Sequence, residues 1–162
     1  MEKQSIIQFS QGNIANWAGL SKNLLIKELI ELFGKPAEVV EDSLGYYPAE
    51  RYDFTGDGLK EGLIAYVREQ VVILIETKIL PDSALLDQLP GPDIVLPHQI
   101  LIPEGYAAEY VFGEKGLNLT VAKHFDKNIA DGIVRCRGFE KLNSAGEFDA
   151  RYYKSFEDIT SW

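Results

Sequence analysis

Apolar and polar residues alternate along this chain with two different periods, and the periods divide it into elements. Over SKNLLIKELIELFGKP, Leu25, Ile26, Leu29, Ile30 and Phe33 recur at helical spacing, with Lys22, Asn23, Lys27 and Glu31 on the opposite side. That pattern predicts an amphipathic helix with one buried stripe. Ser21 is the expected N-cap, Gly34 can end the helix by taking positive φ, and Pro36 prevents its resumption. ERYDF switches to a period of two: Tyr52 and Phe54 point one way, Arg51 and Asp53 the other. TGDGLKEG reads as a turn. GLIAYV and VVILIETKI read as strands joined by Arg68-Glu69-Gln70. SIIQF at 5–9 reads as a short strand, and AEVVEDSLGYYP as a connection.

The same order follows again. PDSALLDQLPGP predicts a short helix with Pro81 at its start, Asp82 or Ser83 near its cap, and Leu85, Leu86 and Leu89 as its stripe. GYAAEYVF, LNLTVAKH and GIVRCRGF predict three further strands, and DARYYKSF stays open between strand and helix. Placing Tyr52 on Tyr110, an offset of 110 − 52 = 58, also superposes Ala49, Phe54, Gly58 and Leu59 on Ala107, Phe112, Gly116 and Leu117. Upstream, Leu29, Ile30, Phe33 and Pro36 fall on Leu85, Leu86, Leu89 and Pro92 at an offset of 56. The expectation is a single α+β domain over 1–162. Two tandem helix-plus-antiparallel-meander units, 21–78 and 82–139, would share one sheet with their helices on one face, and 140–162 would form an extension.

A helix, a Gly-x-Pro break, an aromatic strand and a meander, carried here by Leu29-Ile30-Glu31-Leu32-Phe33-Gly34-Lys35-Pro36 with Tyr52 and Phe54, resemble the repeat of the β-lactamase-inhibitor-protein fold. The pattern is also similar to small outer-membrane-assembly lipoproteins of the SmpA/BamE type. Leu85, Leu86, Leu89, Pro92, Tyr110 and Phe112 are the counterparts in the second half, so the resemblance spans about 21–139. It implies partner binding through the sheet without a shared catalytic set. The lipoproteins carry a lipidated cysteine and the inhibitors use disulfides; the lone Cys136 matches neither.

Charge narrows the partners. Sixteen basic against 25 acidic side chains give a net charge of −9. Nucleic acid and anionic membrane surfaces are disfavoured, and a basic protein partner is favoured. The longest apolar run, VVILI, is strand-length, MEKQSIIQFS lacks the apolar core of a signal peptide, and one cysteine fits a reducing compartment, so the expected location is cytoplasmic.

Candidate chemistry is sparse. Cys136, flanked by Arg135 and Arg137, reads as a buried strand cysteine rather than a nucleophile paired with His98 or His124. DFTGDGLKE places Asp53, Thr55 and Asp57 at alternate positions like a calcium loop, but Ile64 occupies the place of the closing acid, and a glycine hairpin turn fits better. No cofactor or metal is expected. Tyr and Arg are frequent interface anchors. The expected contact face comprises Arg51, Tyr66, Glu109, Thr120, Arg135 and Arg137, with Asp53 and Asn118 beside them. The function this predicts is a non-enzymatic interaction module, a bacterial inhibitor or toxin-neutralising protein acting through the outer sheet face. The alternative is a small-molecule-binding protein or hydrolase with a pocket between the units, lined by His98, His124 and acids near Asp126. Tyr152, Tyr153, Phe156 and Trp162 read as packing residues.

Overall fold

A computed structural model describes residues 2–44, 47–56, 58–89, 91–92, 94–102, 105–124 and 130–142; within these, the side chains of 47, 94, 96–102, 105–107, 123–124 and 130–131 fall outside the description. Asp57, Asp126 and the segment DARYYKSF lie outside the described residues, as do the side chains of His98 and His124.

Strand alternation builds one antiparallel sheet. Its strands are β1 (Glu38–Leu44), β2 (Tyr47–Phe54), β3 (Leu63–Arg68), β4 (Val71–Thr77), β5 (Ile94–Ile102), β6 (Gly105–Phe112), β7 (Leu117–His124) and β8 (Ala130–Phe139). The order across the eight-stranded sheet is β1-β2-β3-β4-β8-β7-β6-β5. Each set of four consecutive strands is thus a meander, and the last strands of the two, β4 and β8, pair at the centre.

Two helices precede the sheet. The segment read as a strand at 5–9 is helical instead: α1 spans Glu2–Ser10 and buries Ile6, Phe9 and Ser10, so the three-residue spacing of Ile6 and Phe9 prevails over the short β-like run. The predicted amphipathic helix is α2, Ile26–Phe33. It starts later than expected. Leu25 is its N-cap and donates its N–H to Glu28 Oε2 at 2.8 Å, whereas the Ser21 hydroxyl bonds the Glu2 carboxylate. Gly34 takes φ 84° at its end. The second predicted helix is a 3-10 segment, Ser83–Asp87, with the Asp82 carboxylate accepting from Ala84 N–H.

AEVVEDSLGYYP, read as a connection, contributes the edge strand β1, and β5, which the pattern does not predict, is the other edge. β1 mixes Glu38, Glu41 and Asp42 with its two valines in no regular alternation, and β5 contains Pro97, features that belong to edges and hide a strand from pattern reading.

One core holds the helices against the sheet. Ile6, Phe9, Leu29 and Phe33 from α1 and α2 cluster with Phe54, Leu63, Ile75, Leu117, Leu119 and Cys136, and Leu85, Leu86 and Leu89 pack on the same cluster. Trp17 locks it: its ring lies 4.7 Å from that of Phe9, and its Nε1–H donates to Gly116 O at 2.9 Å. A second cluster, of Leu44, Ala49, Tyr66, Leu74, Val111, Phe139 and Leu142, takes the alternate strand positions. No described helix is long and apolar enough to cross a membrane.

Candidate interaction face

Period-two alternation sends a second set of side chains to the face opposite the helices, and strand register joins them into rows. One row crosses the sheet from β1 to β6 through Glu38, Asp53, Ile64, Glu76, Arg137, Asn118 and Val111. Beside it run Val40, Arg51, Tyr66, Leu74 and Phe139 on one half, and Glu109, Thr120 and Arg135 on the other. Register shifts at Tyr66/Val67 and Thr120/Val121 absorb one extra residue in β4 and in β8, so Leu74 and Arg135 keep their side. All six residues expected at a contact face therefore share a face.

The face is a paired network. Arg135 Nη2 donates to Glu109 Oε1 at 2.8 Å, while Thr120 Oγ1 and Asn118 Nδ2 donate to Glu109 Oε2 at 2.7 and 2.9 Å. Arg135 Nε donates to Thr120 Oγ1 at 3.1 Å. Arg137 Nε donates to Glu76 Oε1 at 2.8 Å, and its guanidinium carbon lies 5.9 Å from the Tyr66 ring centroid, a cation–π distance. Arg51 reaches Asp42 at 3.2 Å and lies 3.6 Å from Asp53, where the contact is electrostatic rather than a hydrogen bond. Four of the chain's five arginines, Arg51, Arg68, Arg135 and Arg137, occupy this side of the sheet. A planar guanidinium can bridge two acceptors at once, which suits cross-strand pairing better than an ammonium.

Burial separates these residues into two groups. Glu109 is 0% exposed, Thr120 3%, Tyr66 8% and Arg137 9%. The Arg51 and Arg135 side chains keep 31% and 26% of their exposure. Burial lifts the Tyr66 phenol above its ordinary range, with Glu76 adding to the effect. Burial also pulls the Arg135 guanidinium down, helped by Arg137 and opposed chiefly by Glu109. Sequence reading missed Glu76 and Asp42 as partners. Glu76 alternates with Leu74 along β4, but its ion-pair partner is 61 residues away and only the sheet order brings it near.

Cys136 points the other way, fully buried among the helix-side residues, and burial raises its thiol far above the ordinary value. A thiol held neutral is a poor nucleophile. Among the described residues no group of three or more His, Cys, Asp or Glu is placed to hold a metal ion. A groove of about 650 Å³ opens at one end of β1–β3, lined by Glu41, Asp42, Pro48, Ala49, Glu50, Val67, Arg68 and Glu69.

No protein-family model matches this chain, and no curated protein does. Among solved structures the chain is similar to a DUF4309 family protein (YjgB) from Bacillus subtilis subsp. subtilis str. 168, at 12% identity and a TM-score of 0.48, covering 87% of this chain and 100% of that one.

Proposed function

We propose that the protein is a non-enzymatic interaction module of inhibitor or toxin-neutralising type, working in the cytoplasm, which binds a basic protein partner through the sheet face opposite its helices. The observation that supports this reading is the arginine-rich network. Glu109, Thr120, Tyr66 and Arg137 form a buried, hydrogen-bonded floor, while Arg51 and Arg135 keep part of their surface in solvent. Glu109 and Thr120 hold the Arg135 guanidinium and Asp42 holds that of Arg51, which fixes both rotamers before a partner arrives and lowers the ordering cost of association. The acidic surface, at net −9, speeds encounter with a basic target.

The reading includes a tandem origin of the two meanders, of the kind seen in β-lactamase-inhibitor-like repeats. Its support is local. β2 and β6 are eight residues each, begin at 47 and 105, and so keep the offset 105 − 47 = 58 that superposes Tyr52 on Tyr110. Tyr52 and Tyr110 are both half-buried against the helix-side core, and Phe54 and Phe112 both lie inside it.

Affinity capture tests the function. Tagged protein is expected to recover a stoichiometric basic partner, and Arg51→Gln with Arg135→Lys to weaken recovery while the fold persists. Recovery that is equal with both proteins, or no stoichiometric partner at all, contradicts the proposal.

A further inference from the structure

Among the described residues the first strand of the sheet pairs with β2 on one side and has no strand on its other edge. The strand is seven residues long, pairs with β2 without a register shift and contains no proline. Glu38, Val39, Glu41 and Ser43 are exposed along it, Val39 at 46%. The edge is therefore straight and accessible; the Ser43 N–H is taken by Asp42 Oδ1 at 2.7 Å, and a partner strand would pair with the backbone groups beside it. The groove of about 650 Å³ runs from this edge onto the ends of β2 and β3.

The charges there are unusual for a sheet. Glu41 and Glu50 are directly opposite each other in the β1–β2 ladder, an arrangement that destabilises a strand pair. Neither has a counter-ion among the described residues. Glu69 lines the same groove, and the neighbouring Arg68 is committed to the carbonyls of Leu44 and Pro48 at 3.2 and 3.1 Å.

We propose that the free edge of β1 accepts an extended basic segment of a partner protein as a ninth strand, whose cationic side chains sit over Glu41 and Glu50. Strand addition supplies affinity through main-chain hydrogen bonds, and side-chain chemistry supplies selection. The carboxylates that deter a neutral or acidic strand select a basic one. A second copy of this chain is disfavoured, because pairing two β1 edges would crowd Glu38, Glu41 and Asp42 of one copy beside those of the other. The inference rests on the reading of the protein as a binding module, and it is independent of whether the arginine face is also a contact.

The test uses the full chain and three blocked heptapeptides: Lys-Val-Lys-Thr-Lys-Val-Lys, the same peptide N-methylated at every residue, and its Glu-for-Lys counterpart. Binding is titrated, and hydrogen exchange is followed at residues 38–44. The basic peptide is expected to bind and to slow exchange at 38–44. N-methylation keeps the charge and removes the backbone donors, and is expected to weaken binding at least about tenfold. Glu41→Gln with Glu50→Gln, which relieves a repulsion and leaves the backbone edge intact, is expected to weaken it by about tenfold as well. The proposal is overturned if exchange at 38–44 does not slow. It is equally overturned if the N-methylated or the acidic peptide binds as well as the basic one, or if the Gln variant binds unchanged. These outcomes are read without the arginine-face variants, so failure here is distinct from failure of the face.

Discussion

Glu109 and Arg135 form an ion pair with unequal partners: the carboxylate is fully buried, while the guanidinium that bonds it at 2.8 Å keeps 26% of its exposure. The acid is the committed member. It accepts from Arg135, Thr120 and Asn118, and it was placed there by β6 alternation and by the β6–β7–β8 register.

Removing the arginine takes from that buried carboxylate the guanidinium that bonds it. Arg135→Met is therefore expected to cost about 3–5 kcal/mol in urea unfolding. Arg51→Met, whose partner Asp42 is 33% exposed, is expected to cost under about 1 kcal/mol. Equal losses from the two variants contradict this distinction.

Gly116 and Gly58 occupy matching sequence positions and both have positive φ, at 60° and 84°. Their surroundings differ. A Cβ on Gly116 would overlap the Phe139 carbonyl oxygen, which is fixed backbone, whereas one on Gly58 meets the mobile end of Ile7. Gly116 O also accepts from Trp17 Nε1 and Phe139 N. Gly116→Ala is expected to cost about 3 kcal/mol or more and Gly58→Ala about 1 kcal/mol, as read from thermal unfolding.

Burial raises the Cys136 thiol above its ordinary value of 9.0. Above that pH the unfolded chain has lost a proton that the folded chain retains, so the unfolded state binds fewer protons and stability falls with rising pH. The Cys136 contribution is fully present below pH 9.0 and declines above it. Cys136→Ala is expected to flatten this part of the stability profile between pH 8 and 10, measured by urea unfolding; Tyr66, also raised, adds a further decline above its ordinary 10.0. A thiol reagent is expected to react with native protein only at the rate of unfolding.

The facing pair Glu41 and Glu50 is a local defect of the β1–β2 ladder. Glu50→Lys converts repulsion into a cross-strand pair and is expected to stabilise the protein by about 0.5 kcal/mol, an effect that fades in high salt. Destabilisation by this change contradicts the placement of an exposed Glu41 and a half-buried Glu50 opposite each other without a counter-ion among the described residues.

Much of this was legible in the chain. Apolar periodicity located α2 and the inner strands, and β6 and β7 coincide with GYAAEYVF and LNLTVAKH. Alternation also assigned Arg51, Tyr66, Glu109, Thr120, Arg135 and Arg137 to one side. It did not reveal that four of these are buried, because burial of charge depends on partners that are remote in sequence: Glu109 and Arg135 are 26 residues apart, Glu76 and Arg137 61. The edge strands were hidden for a different reason. β1 is half exposed and charged, so it lacks the apolar rhythm that marks an inner strand. α1 was hidden because Ile6, Ile7 and Phe9 satisfy a short strand as well as a helix, and only packing against Trp17 and Gly138 decides between them.

The most direct test of the binding account is a spectrum of the ¹⁵N-labelled arginine side chains, recorded for the free protein and at saturation with its captured partner. The account predicts that the Nε–H signals of Arg51 and Arg135 shift on binding while that of Arg137, held to Glu76 in the floor, moves less. If neither Arg51 nor Arg135 responds at saturation, the sheet face is not the contact surface.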